Sequence, residues 1–305
     1  MRAVSYSQFG EPEVLYVAAD LPVPEPGPGQ VRVRVAASVL HPVDLMIRAG
    51  RFPAPLPTEL PYTPGWDVAG TVDAVGPSVD DLTAGDDVIG FSPWIRTTVG
   101  THAEYVVLEA AWLTSAPAGI PATEAATLPT NGLAAAQALD LLALPAGSSL
   151  LVTGAAGQVG GFTLALARAA GLHATALAGP GDREFVESQG AVFMPRSDDP
   201  VAAAPHLFDA VVDLAVIGPS LMELVKDGGG YVAASPPLRP DPVRGIRTFA
   251  LDVLPDGSRL SDLVQQVEHG DIPLRVAAEY SFADAAAAHT RLAQGGVRGA
   301  VVVVP

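Results

Sequence analysis

The stretch SSLLVTGAAGQVGG at residues 148–161 is the part of this chain that predicts its fold. A short β-type run ends in a glycine-rich turn, and an apolar helical pattern follows at once over residues 162–170. This layout presents backbone N–H groups and a helix N-terminus to a diphosphate. We expect Gly154 to permit the tight turn, Gly157 to let the backbone approach the phosphates, and Gly160 to let the helix pack against the strand.

The spacing of this turn is Gly-x-x-Gly-x-x-Gly rather than Gly-x-Gly-x-x-Gly, so the glycines alone are weak evidence. The strand before them and the helix after them supply the required context, and the alternative is a purely structural turn. The residues predicted to hold a nucleotide here are Gly154, Ala155, Ala156, Gly157, Gln158, Val159 and Gly160.

Around this turn, β-type runs alternate with helical patterns, which predicts a parallel sheet covered by helices. The predicted strands are residues 150–152, 174–177, 210–213 and 231–234, and the predicted helices between them are 162–170, 183–189 and 220–225. Further predicted helices are 123–126 (with Thr123 or a neighbour as cap), 132–142, 260–269 and 282–293, and a strand closes the chain at 300–304. The first 115 residues are rich in proline, glycine and period-two runs, of which residues 31–35 are the clearest.

Composition excludes several classes of protein. The chain has 305 residues, 49% of them hydrophobic, which is typical of a globular protein with a sizeable core. The formal net charge of −16 opposes binding to nucleic acid or anionic lipid. Without cysteine, disulfides and Cys-ligated zinc are excluded. No apolar run approaches the roughly 20 residues of a membrane span, and the N-terminus shows no signal-peptide layout, so we expect a cytoplasmic protein.

Six motifs in order resemble those of one family. They are AASVLHPVD at residues 36–44, IRAG at 47–50, PGWDVAGTV at 64–72, GDDVIG at 85–90, HAEYV at 102–106 and LP at 128–129. Together they resemble the medium-chain dehydrogenase/reductase superfamily, in the zinc-independent branch that contains quinone oxidoreductases and enoyl reductases. The resemblance covers nearly the whole chain.

The resemblance implies an α/β fold in which a doubly wound parallel-sheet (Rossmann) dinucleotide domain is inserted into a GroES-like, partly open β-barrel substrate domain. The expected dinucleotide domain is residues 118–254, and the substrate domain is residues 1–117 plus 255–305. Relatives place the active cleft between the two domains, beyond the carboxyl ends of the strands. They commonly dimerise through the last strand of the dinucleotide domain, here residues 248–253, so we expect a homodimer.

The resemblance also predicts that no metal is bound. The zinc branch has a Cys where His41 stands, a ligand His where Trp66 stands, and its third ligand near Thr130. These three side chains do not form a good zinc ligand set. Without a Lewis acid, reduction of an already polarised double bond is easier than oxidation of an alcohol. We therefore expect an NADPH-dependent reductase that transfers hydride to a quinone or to an activated C=C bond (enone).

The candidate catalytic residues are His41 and Tyr62. His41 stands where relatives usually carry Asn, so it could donate a proton or hydrogen bond to the substrate carbonyl, or only orient the cofactor amide. Tyr62 could line the pocket or merely pack on neighbouring prolines. Asp44 and Asp67 are expected to orient the backbone, and His102 to be a buried structural histidine. The residues expected to shape the substrate pocket are Phe52, Trp66, Trp94 and Phe249.

The cofactor prediction rests on the end of the second strand. NAD-specific sites carry an acid there, but residues 174–178 run into Gly-Pro-Gly, and Arg183 follows where relatives often carry a Lys that pairs with the 2′-phosphate of NADP. Asp182 weakens this argument, and Arg183 could simply begin a solvated helix. The Thr and Lys that relatives use near the nicotinamide are absent here, and Thr130 or Asn131 could compensate.

Three alternatives remain open at the level of the sequence. A tailoring enoyl reductase of a biosynthetic pathway falls within the main hypothesis. A carbonyl or imine reductase would use the same scaffold with different chemistry. A nucleotide-binding regulatory or structural protein with little turnover would share the fold, since a fold alone does not decide function.

Overall fold

The computed structural model describes residues 1–196 and 206–305, which form two compact units. The first unit contains Met1–Thr130, Leu254–Gly270 and Leu274–Pro305. The second contains Asn131–Val253 and Asp271–Pro273. Each unit has buried apolar clusters of its own.

The strands of the described residues are numbered in chain order. They are β1 (Ala3–Ser5), β2 (Tyr16–Ala18), β3 (Gln30–Leu40), β4 (Asp67–Val75), β5 (Asp87–Phe91), β6 (Tyr105–Glu109), β7 (Leu113–Ser115), β8 (Ser149–Thr153), β9 (His173–Ala178), β10 (Val192–Pro195), β11 (Phe208–Asp213), β12 (Val225–Ala233), β13 (Arg247–Ala250), β14 (Val276–Ser281) and β15 (Ala300–Val304).

The α-helices of the same residues are numbered in the same way. They are α1 (Pro42–Arg48), α2 (Trp94–Thr97), α3 (Ala122–Ala125), α4 (Pro129–Leu142), α5 (Gln158–Ala169), α6 (Arg183–Ser188), α7 (Gly257–Glu268) and α8 (Ala285–Ala293). Short 3-10 helices are Pro12–Val14, Ala110–Trp112, Pro180–Asp182, Pro219–Leu224, Pro236–Leu238 and Phe282–Asp284.

The sheet of the second unit is a doubly wound parallel sheet. Its six strands lie in the order β10-β9-β8-β11-β12-β13, and every neighbouring pair is parallel. This is the order of a Rossmann domain, in which the direction of winding reverses between the first and fourth strands, here β8 and β11. The prediction of this fold class is confirmed, and the glycine-rich turn follows β8 at the point of reversal.

Three local predictions in the second unit need correction. Strand β10 was not predicted, because Val-Phe-Met-Pro is too short to show a period. The helix predicted at residues 220–225 is the 3-10 helix Pro219–Leu224, since only six residues separate Gly218 from strand β12. The strand predicted at residues 248–253 is β13, which begins and ends earlier, at Arg247 and Ala250.

The first unit carries the GroES-like domain. Its larger sheet has the order β14-β15-β3-β4-β5-β7, with β6 also paired to β3, and most pairs are antiparallel. The long strand β3 alternates as predicted, so that Val31, Val33 and Val35 are buried in the core. The expected cap Thr123 is not one: α3 is preceded by Pro121, without a side-chain capping bond.

None of the helices in residues 1–196 and 206–305 has the length and hydrophobicity that a membrane span requires.

Candidate functional site

The glycine-rich turn folds back on its own backbone. Gly154 has a φ of +60°, in the left-handed region that favours glycine. A Cβ on Gly160 would lie 2.3 Å from the carbonyl oxygen of Gly154, and a Cβ on Gly157 would lie 3.1 Å from the same oxygen. Gly160 therefore brings α5 against the turn itself, and a side chain at Gly160 would meet backbone that cannot give way.

The first turn of α5 has the features of a phosphate site. The helix begins at Gln158 after Gly157, and no side chain of the described residues caps it. Both amide atoms of the Gln158 side chain are buried and have no hydrogen-bond partner in that part of the chain. A dinucleotide bound at this helix N-terminus would offer hydroxyl and phosphate groups to such donors and acceptors. The turn therefore fits the predicted cofactor.

A buried network that was not predicted from the sequence holds the turn in place. The Thr153 hydroxyl donates to Asp213 Oδ1 at 2.6 Å and accepts the backbone N–H of Ala215 at 2.9 Å. The Tyr231 hydroxyl donates to Asp213 Oδ2 at 2.9 Å. Burial and the nearby Asp213 raise the pKa of Tyr231, so this hydroxyl stays protonated. The signal in the sequence is the carboxylate of Asp213, which directly follows the apolar residues 210–212 at the end of β11.

One basic and one acidic side chain, Arg183 and Asp182, follow the end of β9. Arg183 donates from Nη1 to Glu187 Oε1 at 2.9 Å, and its guanidinium lies 4.2 Å from the centre of the Phe193 ring. Its side chain is still 58% exposed, so the cation can meet a ligand. Asp182 is buried, and its Oδ2 lies 3.1 Å from the place that a Cβ on Gly179 would take. An acid therefore lies beside the end of β9, although it does not follow the strand directly.

In the first unit, a buried polar network surrounds His41. The ring Nε2 of His41 hydrogen-bonds with Oδ2 of Asp67, and the backbone N–H of His41 donates to Asp44 Oδ2 at 2.8 Å. Asp44 Oδ1 accepts the indole N–H of Trp66 at 3.1 Å and the backbone N–H of Gly65 at 3.3 Å. Asp67 thus holds the His41 ring, and Asp44 holds the His41 backbone, between α1 and β4.

The carboxylates decide the protonation of His41. Burial by itself lowers the pKa of His41, but the charge and hydrogen bond of Asp67, together with the charge of Asp44, outweigh burial and raise that pKa. Burial raises the pKa of Asp44 to about 6, against the opposing effects of His41 and of its hydrogen bonds. In the neutral ring, Nε2–H points to Asp67 and Nδ1 carries the lone pair. Only the imidazolium can therefore donate a proton from Nδ1.

Thr130 uses the other oxygen of Asp67. Its backbone N–H donates to Asp67 Oδ1 at 2.6 Å, so that both carboxylate oxygens have a fixed partner. The Thr130 hydroxyl is buried and has no hydrogen-bond partner within the described ranges. It is therefore a suitable partner for the carboxamide of a nicotinamide. Asn131, which follows, is buried and belongs to the second unit.

Most of the residues expected to shape the pocket pack together in one aromatic cluster of the first unit. The cluster contains Tyr6, Phe52, Tyr62, Trp66 and Trp94. Tyr62 meets Trp94 edge to face, with ring centres 5.3 Å apart, and the Tyr62 hydroxyl donates to the Thr58 carbonyl. This geometry gives Tyr62 a packing role, and its catalytic role stays a prediction. Phe249 belongs to β13 of the second unit and packs against an apolar cluster of that unit.

The three positions that the zinc branch uses for ligands are occupied differently here. His41 is paired with Asp67, Trp66 offers an indole that donates to Asp44, and Thr130 offers a hydroxyl. In residues 1–196 and 206–305, no three His, Asp or Glu side chains are grouped so as to hold a metal. The prediction that the chain binds no zinc rests on these residue types, and a metal assay tests it.

Two family models match the chain. Residues 27–118 match the alcohol dehydrogenase GroES-like domain, and residues 190–303 match a family described as zinc-binding dehydrogenase.

Curated relatives and solved structures match over the whole chain. The 2-methylene-furan-3-one reductase of Solanum lycopersicum is 30% identical, over 100% of this chain and 79% of that protein. The chloroplastic NADPH-dependent alkenal/one oxidoreductase of Arabidopsis thaliana is 31% identical, over 100% of this chain and 80% of that protein. The structure of the quinone oxidoreductase from Coxiella burnetii superposes with a TM-score of 0.89 at 27% identity, covering 100% of this chain and 99% of that one.

Proposed function

The chain belongs to the medium-chain dehydrogenase/reductase family, in its quinone oxidoreductase-like branch, and on that premise we propose that it is an NADPH-dependent reductase of enones and quinones. Membership makes it an oxidoreductase that uses a nicotinamide dinucleotide. The observation that carries the proposal is the glycine cradle, where the buried amide of Gln158 has no partner among the described residues. Relatives named for reduction of alkenals and of a methylene-furanone support the choice of enones.

Two groups of residues described above would hold the cofactor. The turn from Gly154 to Gly160 would bind the diphosphate, and Thr130 with Asn131 would bind the nicotinamide carboxamide. When bound, the reduced nicotinamide supplies a hydride. Of the pocket residues, Trp66 is fixed by its bond to Asp44, so it would supply shape and exclude water.

His41 is proposed to supply the proton that the reduction of an enone requires. Hydride addition at the β-carbon of an enone leaves an enolate, and a proton must then bond to the α-carbon. The His41 imidazolium gives this proton from Nδ1 and becomes the neutral ring, whose Nε2–H remains bonded to Asp67. Water returns a proton to Nδ1 before the next turnover. A quinone needs less help, because transfer of a hydride to one of its oxygens gives the aromatic hydroquinone monoanion, which can leave without a proton from His41.

NADPH, rather than NADH, is proposed as the cofactor because of the exposed cation at the end of β9. Arg183 keeps donors free of Glu187 and can form charge-assisted hydrogen bonds with a 2′-phosphate. Asp182 opposes this preference by repulsion, because its carboxylate lies close to the same strand end. We therefore expect Asp182→Asn to strengthen NADPH binding while leaving NADH binding nearly unchanged.

A steady-state assay tests the proposed function. Oxidation of NADPH is followed by its absorbance with an alkyl vinyl ketone and, separately, with 1,4-benzoquinone. Turnover with both acceptors is expected. Tight NADPH binding without turnover on either acceptor would contradict the proposal and favour the nucleotide-binding protein with little activity.

A homodimer is proposed from the position of β13. This strand is the last of its sheet, so one edge of the strand lacks a neighbouring strand among the described residues. Two copies could pair β13 with β13 and close that edge. Light scattering should give a molar mass twice that of one chain. The substitution Thr248→Pro should reduce this mass to that of a single chain. The cytoplasmic location stays a prediction that cell fractionation tests.

A further inference from the structure

Three buried basic side chains lie together in the first unit and have no role in the proposed reaction. They are Arg48 at the end of α1, His102 before β6, and His289 in α8. Arg48 is 5% exposed and both histidines are 0% exposed. Among the described residues, Nε and Nη1 of Arg48 and both ring nitrogens of His289 have no hydrogen-bond partner. The Val39 carbonyl lies near His102, but neither ring nitrogen makes a hydrogen bond of normal geometry.

The backbone brings these side chains to one place. Helix α1 packs against α8, which places Arg48 and His289 on facing elements. The carbonyl of His102 accepts the N–H of Val4 at 2.8 Å, and Val4 belongs to the same apolar cluster as Ala288, the neighbour of His289. Burial first, and then the charges of His102 and Arg48, lower the pKa of His289 to about 3. His289 therefore lies close enough to both Arg48 and His102 to feel their charges.

Among the described residues, Arg48 has no ion-pair partner. A guanidinium stays protonated, and a buried cation without a partner is unfavourable. The acids whose charges reach it, Glu11 and Glu13, are exposed residues, and neither forms an ion pair with it in the part of the chain that is described. Burial raises the pKa of the nearby Tyr6, so that this hydroxyl is neutral and supplies no counter-charge. Water could satisfy the N–H groups, but it would leave the charge unbalanced.

We propose that Arg48 and His289, with His102 beside them, bind a small inorganic anion of the size of chloride. The guanidinium supplies the charge, and the N–H groups of the neutral imidazoles supply further donors. The anion would join the end of α1 to α8, and α1 is the helix that begins next to His41. Its main effect would be on the stability of the first unit rather than on the chemical step.

Thermal unfolding of the full chain tests this site. Sodium chloride replaces sodium gluconate at constant ionic strength and pH, so that general screening of the net charge of −16 stays the same. The unfolding temperature of the unmodified chain should rise with chloride and saturate, by roughly 5 °C at a hundredfold excess over Kd. Arg48→Met should abolish the rise, while Arg51→Met, at an exposed neighbouring arginine, should keep it. An unmodified chain that does not respond to chloride, or Arg48→Met with an unchanged response, would overturn the proposal.

A second measurement covers the case in which Arg48→Met does not fold. Crystals of the unmodified protein are soaked in bromide, and an anomalous peak is sought among Arg48, His102 and His289. A peak within hydrogen-bond distance of the guanidinium supports the anion. Ordered water without an anomalous signal shows that the cluster is only hydrated, and the proposal is then wrong.

Discussion

The turn around Gly154 and the network around His41 are built in opposite ways. The turn is made of backbone, and its tightest contacts join residues at most six positions apart, such as Gly154 and Gly160. The network is built around side chains, and its central bonds join the His41 ring to Asp67, 26 positions away, and Asp67 to the backbone N–H of Thr130, 63 positions away. The conformation of the turn therefore requires glycines, which have no side chain. The network instead requires that each of its polar side chains has a specific hydrogen-bond partner.

This difference predicts how each region fails. Replacing a glycine of the turn by a residue with a side chain should disrupt the turn, because the new Cβ would clash with fixed backbone atoms. A substitution that changes a charge but not the size of a side chain should disrupt the function of the network and leave its geometry intact, because the effect of Asp67 on the pKa of His41 is electrostatic. The substitutions that follow, from the largest expected effect to the smallest, test this contrast.

Gly160→Ala should have the largest effect. Its Cβ would lie 2.3 Å from the Gly154 carbonyl oxygen, so we expect a loss of stability of about 3 kcal/mol and NADPH binding weaker by roughly 100-fold. Gly157→Ala is the matched control, because its Cβ would lie 3.1 Å from the same oxygen and needs only a small shift. Thermal unfolding and fluorescence titration with NADPH measure both effects. Equal losses in the two variants would show that the tight contact at Gly160 does not matter.

His41→Asn should lower kcat for an enone by about 100- to 1,000-fold, because a general acid contributes that order of rate. NADPH binding should be unchanged, and the rate with benzoquinone should fall far less. Steady-state kinetics with both acceptors separate the outcomes. If both rates stay near those of the unmodified protein, His41 only orients its neighbours, although the proposed reductase activity would still stand.

Asp67→Asn should change the pH dependence more than the maximal rate. In the unmodified protein, kcat for the enone falls as pH rises through the raised pKa of His41, because the imidazolium is lost. Asn keeps an oxygen for the Thr130 N–H but removes the charge, so this fall should move to lower pH. The loss should be about 10-fold at pH 8 and smaller at pH 6. A pH profile that does not move would show that Asp67 has no control over His41.

The interaction between His41 and Asp67 should also stabilise the folded chain in a pH-dependent way. Because the folded pKa of His41 lies above its ordinary value of 6.5, the stabilisation is complete below pH 6.5 and is lost as pH rises through the folded pKa. Denaturant unfolding at a series of pH values, compared between the unmodified protein and Asp67→Asn, measures it.

Arg183→Ala should raise the KM for NADPH by roughly 10-fold and leave the KM for NADH nearly unchanged, because only NADPH carries the 2′-phosphate. Glu187→Gln is a useful control, since it releases Arg183 from its ion pair without removing the cation. Equal changes for the two cofactors in Arg183→Ala would contradict the preference for NADPH.

Tyr62→Phe should have the smallest effect. The hydroxyl is engaged by the Thr58 carbonyl and the ring packs against Trp94, so we expect kcat to change by less than about twofold and stability to fall by about 1 kcal/mol. Enone kinetics and thermal unfolding measure both. A loss of kcat as large as that of His41→Asn would assign Tyr62 a catalytic role.

The sequence predicted best where the cause of a structure is local. The strand, turn and helix at residues 148–170 and the alternation in β3 follow from period and from glycine, and the structure confirms both. Prediction from the sequence was worst where the length of an element or its neighbours in the fold determine its type, as in the 3-10 helix Pro219–Leu224 and the short strand β10. Similarly, Asp67 was expected only to orient the backbone, because nothing in its neighbourhood along the chain shows that His41 lies beside it.

The sequence by itself determined the glycine cradle, the strand before it, the helix after it and the family. These follow from steric rules that act over a few residues and from motifs that lie in order along the chain. Only the tertiary structure decided that Asp67 bonds both His41 and Thr130, that Tyr62 is tied to a carbonyl, and that Arg48 is buried beside His289. Charge, burial and hydrogen bonding depend on which distant residues become neighbours, and that is fixed only when the chain has folded.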